Sequence, residues 1–186
     1  MHARHLNEQL VRVLKTIGYD VGFQKGQGQY LFDRDGSRYL DLLSGFGVFA
    51  IGRNHPALRQ ALKSVLDSDF PNLVQLDVST LAGVLAERLL EHVPYLDKVF
   101  FANSGAEAME GVIKMVRKYQ SASGHPERYR IIGFEGSFHG RTLGAINASG
   151  NPSYLEGFGP PMDGFDQVPL GDLEARRAGV DDEGAD

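Results

Sequence analysis

The chain has 186 residues and a formal net charge of −5; 42% of its residues are hydrophobic and 23% charged. Those are globular values for one ordinary domain, and they argue against global disorder, a generic nucleic-acid surface or an anionic-membrane surface. No apolar run approaches a membrane span. The absence of cysteine excludes disulfides, thiolate catalysis and Cys-ligated metal sites. Glycine is 23 of 186 residues, about 12% against a usual ~7%. Met1 to Glu8 has no apolar core, so no secretory leader is expected and a cytoplasmic location is.

Residues 5–17 carry Leu6, Leu10, Val13, Leu14 and Ile17 at helical spacing, and Gly18 should end that helix. Residues 29–32 and 38–42 read as strands joined by Asp33-Arg34-Asp35-Gly36, a hairpin signal. Residues 44–55 are glycine-rich and irregular. The spacing predicts a helix over 56–66, with Asn54 near its cap, Pro56 in its first turn and a buried face of Leu58, Ala61, Leu62, Val65 and Leu66. A further helix is predicted over 79–92, capped by Ser79 or Thr80, with Pro94 beyond it.

Lys98 to Ala102 reads as a short apolar strand, Asn103-Ser104-Gly105 as a turn, Ala106 to Tyr119 as a helix, and 129–134 as another strand. Strand, helix, strand at this spacing predicts a βαβ unit, and so an α/β fold with a parallel sheet. Residues 150–161 form a Gly/Pro/Asn/Ser-rich loop, and the polar tail from Gly171 is expected to be weakly ordered.

Two segments carry most of the chemical signal. In Ser104-Gly105-Ala106-Glu107 a turn opens a helix, whose unpaired N–H groups and positive dipole end suit a phosphate. On local pattern the same residues read first as a capping box, Ser104 with Glu107 three residues on, and the two readings are compatible. In Gly136-Ser137-Phe138-His139-Gly140-Arg141-Thr142 an aromatic ring, an imidazole and a guanidinium follow a strand. Such a loop suits stacking on a flat ligand and pairing with a carboxylate or phosphate. Phe138 is equally readable as core and Arg141 as a structural ion-pair residue. Ser44-Gly45-Phe46-Gly47 with Gly52-Arg53-Asn54-His55-Pro56 can wall a pocket or serve as a purely structural loop. Walker A, G-x-S-x-G and H-E-x-x-H patterns are absent.

These segments together resemble the class III aminotransferases, pyridoxal-phosphate enzymes of fold type I, most closely the ornithine, acetylornithine and 4-aminobutyrate branch. The likeness rests on five motifs in order: residues 28–41, Gly52 to Pro56, Phe101 to Ala108, Phe138 to Thr142 and Tyr154 to Pro160. It implies a small-domain segment over 1–50, the first part of a cofactor-binding large domain over 51–170, and a polar tail over 171–186. Ser104, Gly105 and Ala106 would hold the phosphate of pyridoxal 5'-phosphate. Phe138 would stack on its ring, with His139 beside it. Arg141 would pair with a substrate carboxylate, and Phe46 would line the substrate pocket.

The implied activity is transamination between an amino donor and a 2-oxo acid, in an enzyme whose full-length members are homodimers. In the family, the cofactor-linking lysine and the acid that pairs with the pyridine nitrogen lie further along the chain. None of Lys15, Lys25, Lys63, Lys98, Lys114 and Lys118 stands in the lysine's context. The resemblance therefore implies an N-terminal portion, inactive alone. The alternative is a non-catalytic remnant or a cofactor-binding interaction module. The amino donor is not legible.

Overall fold

The computed structural model describes residues 1–71, 74, 76–172 and 174. It divides into two compact units, Met1–Val78 and Ser79–Asp186.

The first unit opens with a helical turn, α1 (His2–His5), and a helix, α2 (Glu8–Thr16). The predicted single helix is broken because Asn7 is extended and caps α2, accepting from the Leu10 N–H at 2.8 Å. Gly18, at φ +72°, ends it as the sequence suggests. A three-stranded antiparallel sheet follows: β1 (Lys25–Gln27), β2 (Tyr30–Phe32) and β3 (Arg38–Leu40). Gly26 faces Leu31, and Leu31 faces Tyr39.

The β2–β3 turn is the expected Asp-Gly one. Asp33 Oδ1 accepts from the Asp35 and Ser37 N–H groups, and its Oδ2 accepts from the Tyr39 hydroxyl at 2.9 Å. Desolvation works against ionisation of Asp33, but these hydrogen bonds outweigh it and hold the carboxyl below its ordinary range. β1 carries no apolar alternation and has no sequence signal.

The glycine-rich loop then folds back on the sheet. Gly28 and Arg53 exchange backbone hydrogen bonds of 2.9 and 2.8 Å. The Arg53 Nε donates to Asp41 Oδ2 at 2.7 Å, and its guanidinium lies 4.2 Å from the Phe49 ring centroid. Gly52 is required here: a Cβ would sit 2.9 Å from the Gly28 Cα, at a φ of +84°. Helix α3 (Pro56–Leu66) follows. Its cap is His55, not Asn54, because Asn54 sits at φ +53° and turns its amide to the Gly26 carbonyl at 2.8 Å. The expected buried face is not buried. Leu58, Leu62, Val65 and Leu66 are all exposed, Leu66 at 81%, because no described helix or strand of this unit packs broadly against them.

The second unit begins with α4 (Thr80–His92), capped by Ser79 as expected. The predicted strand at 98–102 does not form. A strand needs a ladder partner, and no described strand pairs with these residues. Helix α5 (Gly105–Ala122) is longer than predicted. Strand β4 (Ile131–Phe134) pairs in parallel with β5 (Phe165–Val168), Ile131 opposite Phe165. A short helix, α6 (Leu143–Ala148), lies between them in sequence. The parallel crossover is thus β4–α6–β5, one element later than the sequence spacing suggests.

The core of this unit is α6 itself, with Gly144 through Ser149 buried, together with Ile113 of α5 and Val168 of β5. Two arginines close its far end. Arg117 donates to the carbonyls of Tyr129 and Gly164, and Arg130 bridges Asp163 and Asp166. The expected weak order of the tail from Gly171 falls almost wholly outside the described residues.

Candidate functional site

The start of α5 is built by its cap. Ser104 is extended, at φ −147° and ψ 161°. Its Oγ accepts from the Glu107 N–H at 3.2 Å, while Glu107 Oε2 accepts from the Asn103 N–H at 2.7 Å. The Ser104 half of the expected capping box is therefore present, while the return bond from Glu107 goes to the residue before the cap. This cap leaves the N–H groups of Gly105 and Ala106 with no acceptor among the described residues. A Cβ placed on Gly105 would meet nothing within 4 Å, so open space faces the helix terminus there. Capping and anion binding thus use different donors of the same turn.

The loop after β4 is held from below by α6. The His139 N–H donates to the Ser149 Oγ at 3.0 Å, and the Gly136 N–H to the Gly150 carbonyl at 2.7 Å. Gly140 is buried against the first turn of α5 at φ +129°. A Cβ on it would fall 2.6 Å from the Ala106 Cβ, so only glycine allows this approach.

These contacts bring the two segments to one cavity of about 460 Å³, lined by Gly105, Ala106 and Met109 from α5 and by residues 138–141 from the loop. A second cavity of about 220 Å³ adjoins the same loop, with Phe138 and Arg141 shared and Tyr154 and Phe158 opposite. The Arg141 guanidinium lies 5.9 Å from the Phe138 ring centroid. Tyr154 meets Phe138 edge-on, with ring centroids 6.0 Å apart.

Of the residues singled out from sequence, Gly105, Ala106, Phe138, His139 and Arg141 line one cavity, and Ser104 caps the helix that forms its floor. Phe46 belongs to the first unit and is not among them. It sits at φ +58° on the glycine-rich loop and is 89% exposed. Gly140, part of the loop motif read from sequence, lines the cavity too, whereas Met109 carries no such reading. Its signal was available in principle, since Met109 follows Gly105 by one helical turn. None of the lysines lines this cavity. Among the described residues no cluster of His, Asp or Glu suits a metal ion.

A model of the class-III aminotransferase family matches residues 16–183. The chain belongs to the class-III aminotransferase family. It is 53% identical over 163 residues to "Acetylornithine aminotransferase 1" of Bradyrhizobium diazoefficiens, a match covering 87% of this chain and 39% of that protein. The chain thus spans about two fifths of the length of the curated relatives it matches. The omega transaminase from Pseudomonas jessenii in complex with PMP superposes with a TM-score of 0.77 at 30% identity, covering 89% of this chain and 36% of that one. The ornithine aminotransferase from Toxoplasma gondii ME49 gives 0.81 at 24% identity, covering 94% and 43%, a likeness of fold. The α/β fold, with its small parallel sheet, is therefore part of the transaminase fold. No described helix is long and apolar enough to cross a membrane.

Proposed function

We propose that this chain supplies the phosphate cradle, ring-stacking face and carboxylate clamp of a transamination site that uses pyridoxal 5'-phosphate. The observation that carries the reading is the 460 Å³ cavity, where an open helix N-terminus meets a Phe-His-Gly-Arg loop from a segment over 30 residues away.

The residues present fit that cofactor. Gly105 and Ala106 offer free N–H donors at the positive end of an 18-residue helix, the environment a phosphate dianion requires. The Ser104 hydroxyl adds a donor beside them. Phe138 is exposed toward the cavity and offers a ring face. His139 stands next to it. Arg141 carries a planar fork that binds a carboxylate in two-point fashion, which suits an amino-acid donor or a 2-oxo acid acceptor. When bound, the cofactor supplies the amino-group carrier and electron sink for exchange between those two. Phe46 is proposed as a wall of the substrate pocket. We read residues 1–50 as the small-domain segment and 51–170 as the first part of the cofactor-binding domain. A homodimer is the proposed assembly.

No lysine reaches the cavity, so this chain should bind the cofactor by its phosphate and ring without a covalent link. Equilibrium dialysis of the purified chain against pyridoxal 5'-phosphate tests this, followed by borohydride reduction and mass spectrometry. Saturable binding that inorganic phosphate displaces, with no stoichiometric adduct at a single lysine, is the expected result. No measurable binding would remove the cradle; a single trapped lysine would remove the non-covalent reading.

A further inference from the structure

The loop that carries Arg141 is fastened to α5 on both sides of that residue. Before it, Gly140 packs against Ala106 so closely that no side chain fits between them. After it, the Thr142 hydroxyl donates to Glu110 Oε1 at 2.5 Å. Ala106 and Glu110 are four residues apart and so share one face of α5. The second fastening has its own shape. A Cβ on the buried Gly144 would lie 2.6 and 2.7 Å from the two Glu110 oxygens, so the carboxylate occupies the space a side chain at 144 would need. Thr142 also caps α6, its Oγ1 accepting from the Ala145 N–H at 3.3 Å. One hydroxyl therefore links Glu110, the start of α6 and the backbone next to Arg141.

We infer that Glu110 is a positioning residue for Arg141. It touches neither cavity described above. It sets where the Arg141 backbone sits by anchoring Thr142, while Ala106 anchors Gly140. Arg141 is itself exposed, with a long flexible stem, so the direction of its fork depends on a fixed starting point. The role of Arg141 as a carboxylate clamp rests on the function proposed above; the anchoring of residues 140–145 by Glu110 does not.

The test uses the full chain and five variants: E110A, E110Q, T142S, T142V and the double variant E110A/T142V. Two readouts are needed. The first is amide hydrogen exchange over residues 140–145. The second is affinity for pyridoxal 5'-phosphate and for the reduced phosphopyridoxyl conjugate of glutamate, which adds two carboxylates to the same phosphate and ring.

E110A and T142V should speed exchange at 140–145 without changing β5, and the double variant should exceed neither single one. E110Q and T142S, which keep an acceptor and a donor, should restore protection. E110A should weaken the conjugate about tenfold while leaving pyridoxal 5'-phosphate within about twofold, the size expected for a misplaced charge-assisted pair. Equal weakening of both ligands would mark a general structural role and overturn the inference. So would unchanged exchange in E110A, or additive effects in the double variant. If the wild-type chain binds neither compound, the cofactor reading fails, and exchange alone decides for or against Glu110.

Discussion

The two units of this chain hold their loops by different means. In Ser79–Asp186 the Phe-His-Gly-Arg loop rests on a buried helix, with Gly144 to Ser149 shielded and glycines at 133, 140 and 150 allowing close backbone approach; the Thr142–Glu110 bond is a polar addition to that packing. In Met1–Val78 no described residue is buried. The glycine-rich loop is held there by polar staples, chiefly Asp41 with Arg53, and by backbone pairing of Gly28 with Arg53. Burial fixes a loop through packing, which changes little with pH or salt. Staples fix it through charge, which depends on both. The region proposed to hold the cofactor is the packed one.

That contrast can be broken at each end. The largest effect is expected from Gly133→Val. A side chain there meets the Ala148 carbonyl oxygen and lies 2.8 Å from the Gln167 Oε1. Overpacking of this kind costs about 1–3 kcal/mol or more. Hydrogen exchange should show lost protection at 143–149 and at β5, with β1 to β3 unchanged.

Next is Asp41→Asn, which removes the charge from a pair whose carboxylate is only 7% exposed. It should release residues 44–53 and leave 138–149 unaffected, seen as collapsed amide dispersion in the first unit alone. The same staple sets a pH dependence. The hydrogen bond from Arg53 comes first among the causes that hold the Asp41 carboxyl below its ordinary 3.8. A depressed folded-state pKa means that the stabilisation is complete above that ordinary value. It is lost as pH falls further, through the folded value. An amide-shift titration should therefore show the Gly28 and Arg53 signals moving at a lower pH than a free carboxylate titrates. Movement at or above the ordinary value would contradict the staple.

Ser104→Ala is expected to cost about 1 kcal/mol, the usual loss of an N-cap, with fraying limited to the first turn of α5. The smallest change is Glu8→Gln. Its pair with Arg12 is 64–69% exposed, so thermal unfolding should shift by less than about 0.5 kcal/mol.

The local elements were largely legible in the sequence, because caps and turns are local chemistry. Ser79, Ser104 and Gly18 each did what their type and position imply. Asp33 with Gly36 made the hairpin turn as expected. One miss is local, the break at Asn7, whose side chain caps α2; the other main ones are long-range. Residues 98–102 have the composition of a strand, but composition does not supply a partner. β1 is a Lys-Gly-Gln segment that becomes a strand only because Tyr30–Phe32 pairs with it. Asn54 lost the α3 cap to His55 because its side chain found the Gly26 carbonyl, 28 positions earlier.

The candidate site follows the same division. The donors at Gly105 and Ala106 and the ring at Phe138 could be read from neighbouring residues. Glu110 could not, since its role exists only once Thr142 lies against α5. Phe46, which the family likeness implies for the substrate pocket, lies in the stapled unit.

The most direct measurement is a backbone amide spectrum of the chain during titration with pyridoxal 5'-phosphate, with unphosphorylated pyridoxal as the control. The phosphorylated compound should shift Gly105 and Ala106 most, then residues 138–141, with Gly28 and Arg53 still; pyridoxal should leave Gly105 and Ala106 unmoved. Equal shifts from both compounds, or movement elsewhere with Gly105 and Ala106 fixed, would contradict the phosphate cradle.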